Sequence, residues 1–195
     1  MKTIKNGNRY MGSNKLIEDK MKFDFERILI VGCGGAGKST LAVEMGNKFR
    51  LPVVHLDKLY WLPNWETRPP EEFDKLLEEQ LKKNKWIIDG NYDRTFALRL
   101  KYADLCIFLD YDTRLCIQSV HERVEKYRGT SRPDMTDGCE EQADEEFVEW
   151  ILGYRTNVRP GVLERLRNSD VPYMIFTTRQ ETANWLASFR FNVII

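Results

Sequence analysis

Apolar and polar positions alternate in blocks along this chain, and the period changes from block to block. The run RILIV (27–31) is short, β-rich and continuous, and a glycine stops it, which predicts a strand buried on both faces. Residues 38–49 predict a helix, and PVVHL (52–56) a second strand. At 57–70 the pattern breaks, because DKLYWLPNWETRPP is rich in aromatics and proline and reads as a loop or insertion. Pro69 and Pro70 followed by Glu71 and Glu72 mark a helix start: proline fits a first turn, and carboxylates suit its positive end. Phe73, Leu76, Leu77 and Leu81 then share one helical face.

KWIID (85–89) and DLCIFLD (104–110) predict the third and fourth strands. Residues 113–128 predict a helix, and GTSRPDMTDGC (129–139) an irregular loop. Another helix spans 143–155, with Phe147, Trp150, Ile151 and Tyr154 on its apolar face. VPYMIFTT (171–178) is the fifth strand, and RQETANWLASF the closing helix. Strands alternating with helices imply an α/β fold, a five-stranded parallel sheet wrapped on both faces. In such a sheet the ligand crevice lies beyond the carboxyl ends of the strands. The two interruptions, 57–70 and 129–142, are placed to cover it.

Composition narrows the class. The 195 residues, 42% hydrophobic and 12% aromatic, suffice for one domain with a sizeable core. Lys plus Arg equals Asp plus Glu at 30 each, so the basic excess expected of a protein held on nucleic-acid phosphates is missing, which argues against direct nucleic-acid binding. The four cysteines, Cys33, Cys106, Cys116 and Cys139, form no C-x-x-C pair and stand far from His55 and His121 in sequence. They argue against a zinc site and suggest a reducing, cytoplasmic setting. No apolar run approaches the ~20 residues that span a bilayer. The first residues, polar and lysine-rich, read as a loose extension over 1–21 ahead of a domain over 22–195.

The chemistry begins at GCGGAGKST (32–40). Gly32, Gly37, Lys38 and Ser39 match G-x-x-x-x-G-K-[ST] between a strand and a helix. Gly32, Gly34, Gly35, Ala36 and Gly37 let the backbone approach phosphate oxygens, and the helix that starts at Lys38 adds partial positive charge. Lys38 reaches β- and γ-phosphates, Ser39 can ligate Mg²⁺, and Thr40 closes the motif. Cys33 inside the loop reads as a small neutral side chain. An acid at the end of a buried strand beside such a loop holds Mg²⁺, directly or through water. Asp89 is the choice, and Asp110, at the end of CIFLD, is its rival. Asp57 ends the second strand and can hold or deprotonate an attacking hydroxyl, or simply cap a turn. His55 reads as a structural strand residue. Tyr60, Trp61 and Trp65 either line a pocket for a flat or apolar substrate or bury the insertion. Arg94, Arg99, Arg123, Arg128, Arg132, Arg155 and Arg159 fall near the two interruptions or on the helices flanking the second, and forked guanidiniums suit a transferring phosphoryl group.

Strand, GxxxxGKST, strand with Asp, WIIDGNYDRT and an arginine-bearing cover together resemble the nucleoside-monophosphate and shikimate kinase group of P-loop kinases. IIDGNYDRT is similar to the D-G-F-P-R-T segment of adenylate kinases, with one residue more before the arginine. LPVVHLDKLYW, WIIDGNYDRT and YRGTSRPDM together look like the bacterial adenylate-kinase-related proteins labelled DNA topology modulation proteins, over roughly residues 22–180. The resemblance implies a three-layer P-loop kinase fold with an acceptor-side insertion about 57–84 and a lid about 128–142. It implies ATP phosphates at Gly32–Thr40, Mg²⁺ near Ser39 and Asp89, acceptor contacts from Asp57 and Arg94, and lid contacts from Arg128, Arg132 and Arg155. The Asp57 position is similar to where shikimate kinases hold a substrate hydroxyl. The expected function is ATP-dependent, Mg²⁺-assisted phosphoryl transfer to a small-molecule acceptor, a nucleotide or a small hydroxylated metabolite. The alternative is an ATP-binding regulatory protein that affects DNA topology or gene expression. The composition of 128–142, with two glycines, a proline and few apolar residues, predicts a mobile lid with few core contacts.

Overall fold

The computed structural model describes residues 23–189, so the 1–21 extension lies outside the described residues. The elements follow the predicted alternation. β1 (Arg27–Gly32) leads into α1 (Lys38–Phe49), and β2 (Val53–His55) into α2 (Leu56–Tyr60). A short hairpin, β3 (Trp61–Leu62) and β4 (Glu66–Thr67), encloses a 3₁₀ turn at Pro63–Trp65 and precedes α3 (Pro70–Leu81). β5 (Trp86–Asp89), α4 (Asp93–Tyr102), β6 (Leu105–Leu109) and α5 (Thr113–Lys126) follow. α6 (Glu145–Asn157), α7 (Arg159–Arg167), β7 (Tyr173–Phe176) and α8 (Arg179–Ser188) complete the chain.

The five long-range strands form one parallel sheet in the order β2-β5-β1-β6-β7. The continuous apolar runs take the centre: β5 and β6 are buried throughout, and β1 from Ile28 onward. This is the pattern of strands covered on both faces, while β2 and β7, less buried, take the edges. The insertion is more ordered than a loop, since it holds the α2 turn and the β3–β4 hairpin. Within α3, Phe73, Leu77 and Leu81 are buried, as their spacing predicts, with Pro70 in the first turn.

Register places the chemistry. Asp89 of β5 lies beside Ile30 of β1 on one side and His55 of β2 on the other, and Gly32 ends β1 beside Leu109. The carboxyl ends of four adjacent strands therefore meet on one rim, with the glycine loop leaving from the middle.

Candidate active site

The glycine loop is built by backbone that side-chain-bearing residues resist. Gly35 and Gly37 have φ of +76° and +84°, in the left-handed region. A Cβ on Gly35 would sit 2.2 Å from the Cys116 carbonyl oxygen, whereas one on Gly37 would meet nothing within 4 Å, so Gly37 faces open space. Gly34, Gly35, Gly37, Lys38, Ser39 and Thr40 line the cleft, while Ala36 is buried behind it. Gly32 donates its N–H to Asn91 Oδ1 at 3.1 Å, which ties the loop to the segment after β5. Lys38 Nζ donates to the Cys33 carbonyl at 2.9 Å and so lies across the loop. A hydrogen bond with Cys116 and burial push the Cys33 thiol well above its ordinary pKa, so Cys33 is a neutral filler.

Asp89 accepts a 2.5 Å hydrogen bond from Ser39 Oγ through Oδ2 and faces His55 Nδ1 at 2.7 Å through Oδ1. Burial opposes charging His55, but the hydrogen bond and charge of Asp89 outweigh it and raise the imidazole pKa. His55 is thus more than a strand residue: it orients the carboxylate. Asp134 is a neighbour the sequence reading passed over. Burial opposes its ionisation, yet the Arg132 charge, with the Ser39 hydroxyl close by, holds its carboxyl below the usual range. A hydroxyl between two carboxylates is a hard-oxygen donor set of the kind Mg²⁺ takes alongside phosphate oxygens. Among the described residues no group of three or more His, Cys, Asp or Glu side chains is placed to hold a metal ion by itself. Asp110 goes elsewhere. Arg159 grips it with three hydrogen bonds of 2.7–3.0 Å, and it does not line the cleft.

Asp57 sits in the first turn of α2, a third exposed. Tyr92 donates its hydroxyl to Oδ1 at 2.8 Å, and Arg132 donates to Oδ2 at 2.9 Å. Burial and the Asp57 charge raise the Tyr92 pKa, so the phenol stays a donor. Arg132 also lies 3.3 Å from Glu141 Oε2, and Arg123 donates to Glu141 Oε1 at 2.7 Å.

The segment 128–142, expected as a loose cover, is anchored. Arg132, Met135, Cys139 and Glu141 are buried. Thr136 Oγ1 donates to the Trp61 carbonyl at 2.7 Å, Cys139 Sγ to the Leu62 carbonyl at 3.1 Å, and Trp65 Nε1 to the Glu140 carbonyl at 3.0 Å. Composition concealed this, because the anchors are polar groups and backbone carbonyls of the insertion rather than an apolar stripe. The predicted arginines separate accordingly. Arg132 and Arg94 line the cleft, Arg94 while bonded to Asp74 at 2.8 and 2.7 Å. Arg128 pairs with Glu125 on the exposed surface, and Arg155 is exposed on α6; the structure brings neither to the cleft.

Arg99 is the residue whose role the sequence hid. It is fully buried and donates to the carbonyls of Gly90, Asn91 and Tyr92 at 3.0, 2.5 and 3.0 Å. Burial brings its pKa down to about 10. It clamps a turn in which Gly90 has φ +130° and Tyr92 φ +29°. That turn presents Asn91 to the glycine loop and Tyr92 to Asp57. The available signal was an arginine at the buried position of α4, spaced with Thr95, Phe96 and Leu100. On α6, Phe147 covers Gly34 and stacks near Trp150, while Ile151 and Tyr154 enter the core.

Against known proteins, no family model matches the chain. Two solved shikimate kinases share the fold. The Bacteroides thetaiotaomicron structure has a TM-score of 0.51 at 19% identity, covering 84% of this chain and 95% of that one. The Acinetobacter baumannii enzyme in complex with shikimate has a TM-score of 0.52 at 15% identity, covering 84% and 90%. Both likenesses establish the three-layer P-loop kinase architecture. Among curated sequences, the uncharacterized protein YqaC of Bacillus subtilis (strain 168) is 31% identical over 134 residues, 66% of this chain and 72% of that protein. With a complete glycine loop on a P-loop kinase sheet and that level of shared sequence, the chain belongs to the family of Bacillus subtilis YqaC.

Proposed function

We propose that this chain is an ATP-dependent, Mg²⁺-assisted kinase that phosphorylates a hydroxyl group of a small molecule. The observation that carries the reading is one cleft of about 1370 Å³, lined by the glycine loop, by Asp89 and by Asp57 with Tyr92 and Arg132. A pocket for one small ligand measures roughly 300–1,000 Å³, so this cleft has room for two.

The amides of Gly34–Thr40 and the amine of Lys38 are the groups to bind the phosphates of ATP. Ser39 and Asp89 would hold Mg²⁺, whose contribution when bound is to neutralise charge on the phosphates. Asp57 receives the acceptor hydroxyl. Its oxygen forms a bond to the γ-phosphorus, the bond from that phosphorus to the β–γ bridging oxygen breaks, Asp57 takes the proton, and ADP leaves with the electron pair. Tyr92 and Arg132 hold Asp57 in place. The hydrogen bonds between 128–142 and the β3–β4 hairpin would help to keep water from the transfer step, which favours transfer over hydrolysis. Four buried free cysteines suit a reducing cytoplasm, and no described helix is long and apolar enough to cross a membrane.

The test is ATP consumption by the purified protein across nucleotides and small hydroxylated metabolites, with hydrolysis in the absence of any acceptor measured alongside. Acceptor-dependent turnover that Lys38→Ala removes is the expected result. Turnover indifferent to every acceptor would instead favour an ATP-driven regulatory protein. Unchanged ATP binding and turnover in folded Lys38→Ala protein would sink the nucleotide site itself.

A further inference from the structure

We infer that the acceptor is an uncharged hydroxylated compound carrying a flat ring, and that the pairing of Asp74 with Arg94 disfavours phosphorylated and carboxylated acceptors. This rests on the kinase reading and deepens it. Beside Asp57 the cleft wall is aromatic. Tyr60 contacts Trp61, Phe73 and Tyr92 with ring centroids 5.0, 5.6 and 5.0 Å apart, and Trp61 contacts Trp65 at 5.3 Å. Phe73 is buried, but the other four rings keep part of their surface exposed while lining the cleft. Such faces receive a flat, weakly polar body.

The charges point the same way. A kinase that binds an anionic acceptor presents arginine forks to it. Here the arginines on this side are bonded to carboxylates of the chain itself: Arg94 to Asp74, Arg132 to Asp57 and Glu141, and Arg123 to Glu141. Asp57 and Asp134 share the single charge of Arg132, so carboxylates outnumber the arginine between them, and Asp93 in the lining is paired with Arg165. An incoming phosphate or carboxylate would break an existing ion pair and sit among these carboxylates, which is specificity by repulsion. A neutral hydroxyl compound meets no such cost, and its hydroxyl can use the remaining acceptor capacity of Asp57.

The experiment uses matched pairs: nucleosides against their 5′-monophosphates, and shikimate against its methyl ester. Binding is measured by calorimetry on the full chain with a nonhydrolysable ATP analogue present, and product by mass spectrometry with ATP. The expected result is a preference of about tenfold or more for neutral members that carry a flat ring. Asp74→Asn should raise binding of the anionic members several-fold and leave the neutral members unchanged. Trp61→Leu should weaken the neutral ring compounds without changing binding of the ATP analogue. Preference for the anionic members, or no binding of any neutral ring compound, overturns the inference. If the ATP analogue still binds in those cases, the kinase reading stands and only the acceptor class is wrong; if it does not bind, both fall.

Discussion

Arg132 donates to Asp57 across 2.9 Å, joining positions 75 residues apart in the chain. The contact links the segment after α5 to the first turn of α2 and sets the direction of the Asp57 carboxylate, while Tyr92 holds its other oxygen. Asp57→Asn keeps the shape and removes the proposed base. Once an acceptor is known, kcat should fall by roughly 10²-fold or more, the scale of general-base contributions. ATP affinity, measured by titration with a nonhydrolysable analogue, should barely change. Equal loss of ATP affinity would move Asp57 to the metal or phosphate site.

Arg132→Ala should destabilise the protein as well as slow transfer. The side chain is 9% exposed and faces Asp57, Asp134 and Glu141, so its removal leaves neighbouring carboxylates without their counter-charge. Breaking a buried pair of this kind costs about 3 kcal/mol. Arg128→Ala, at an exposed pair with Glu125, should stay within about 0.5 kcal/mol. Urea unfolding of the two variants makes the comparison.

Asp89→Asn and Asp110→Asn should separate cleanly. The first should shift the Mg²⁺ concentration needed for half-maximal activity upward, because Asp89 is the carboxylate bonded to Ser39. The second removes a buried carboxylate gripped by Arg159 and should cost roughly 2–4 kcal/mol of stability with no change in Mg²⁺ dependence. A Mg²⁺ shift confined to the Asp110 variant would reverse the assignment.

Arg99→Met retains volume and loses all three carbonyl contacts. At about 1 kcal/mol for each hydrogen bond, the loss should be roughly 3 kcal/mol. Relaxation of the turn at Gly90–Tyr92 should also weaken both the glycine loop, through Asn91, and Asp57, through Tyr92. Stability by thermal unfolding and KM for ATP should therefore change together. Arg99→Lys should recover part of the stability.

Hydrogen exchange should find part of the cover already protected without nucleotide. The N–H groups of Met135, Cys139 and Glu141 donate to the carbonyls of Arg132, Thr136 and Thr130. Their protection should resemble that of the β3–β4 hairpin, because the two segments hold one another. Rapid exchange throughout 128–142 in the absence of nucleotide, slowed only by an ATP analogue, would restore the picture of a free lid.

The alternation of elements, the sheet and the glycine loop were legible in the sequence because their determinants are local. RILIV, WIID and LCIFL are strands that must be buried on both faces, and GxxxxGKST states its backbone needs in its own glycines. Asp89 was legible too, as an acid ending a buried strand. The missed groups depend on neighbours distant in the chain. His55 reaches Asp89 because parallel pairing sets β2 beside β5 in register. Arg99 reads as one more helical arginine until α4 packs it against the turn that precedes it. The segment 128–142 looks loose in composition because its anchors are hydrogen bonds to and from the hairpin, partly through backbone carbonyls, which no apolar pattern records. Arg128 and Arg132 are chemically alike and only four positions apart, and only the folded backbone sends one to Asp57 and the other to solvent. Sequence determined which strands and which glycine loop form; tertiary structure decided which charges meet, because ion-pair partners are chosen by distance in space and by exclusion of water.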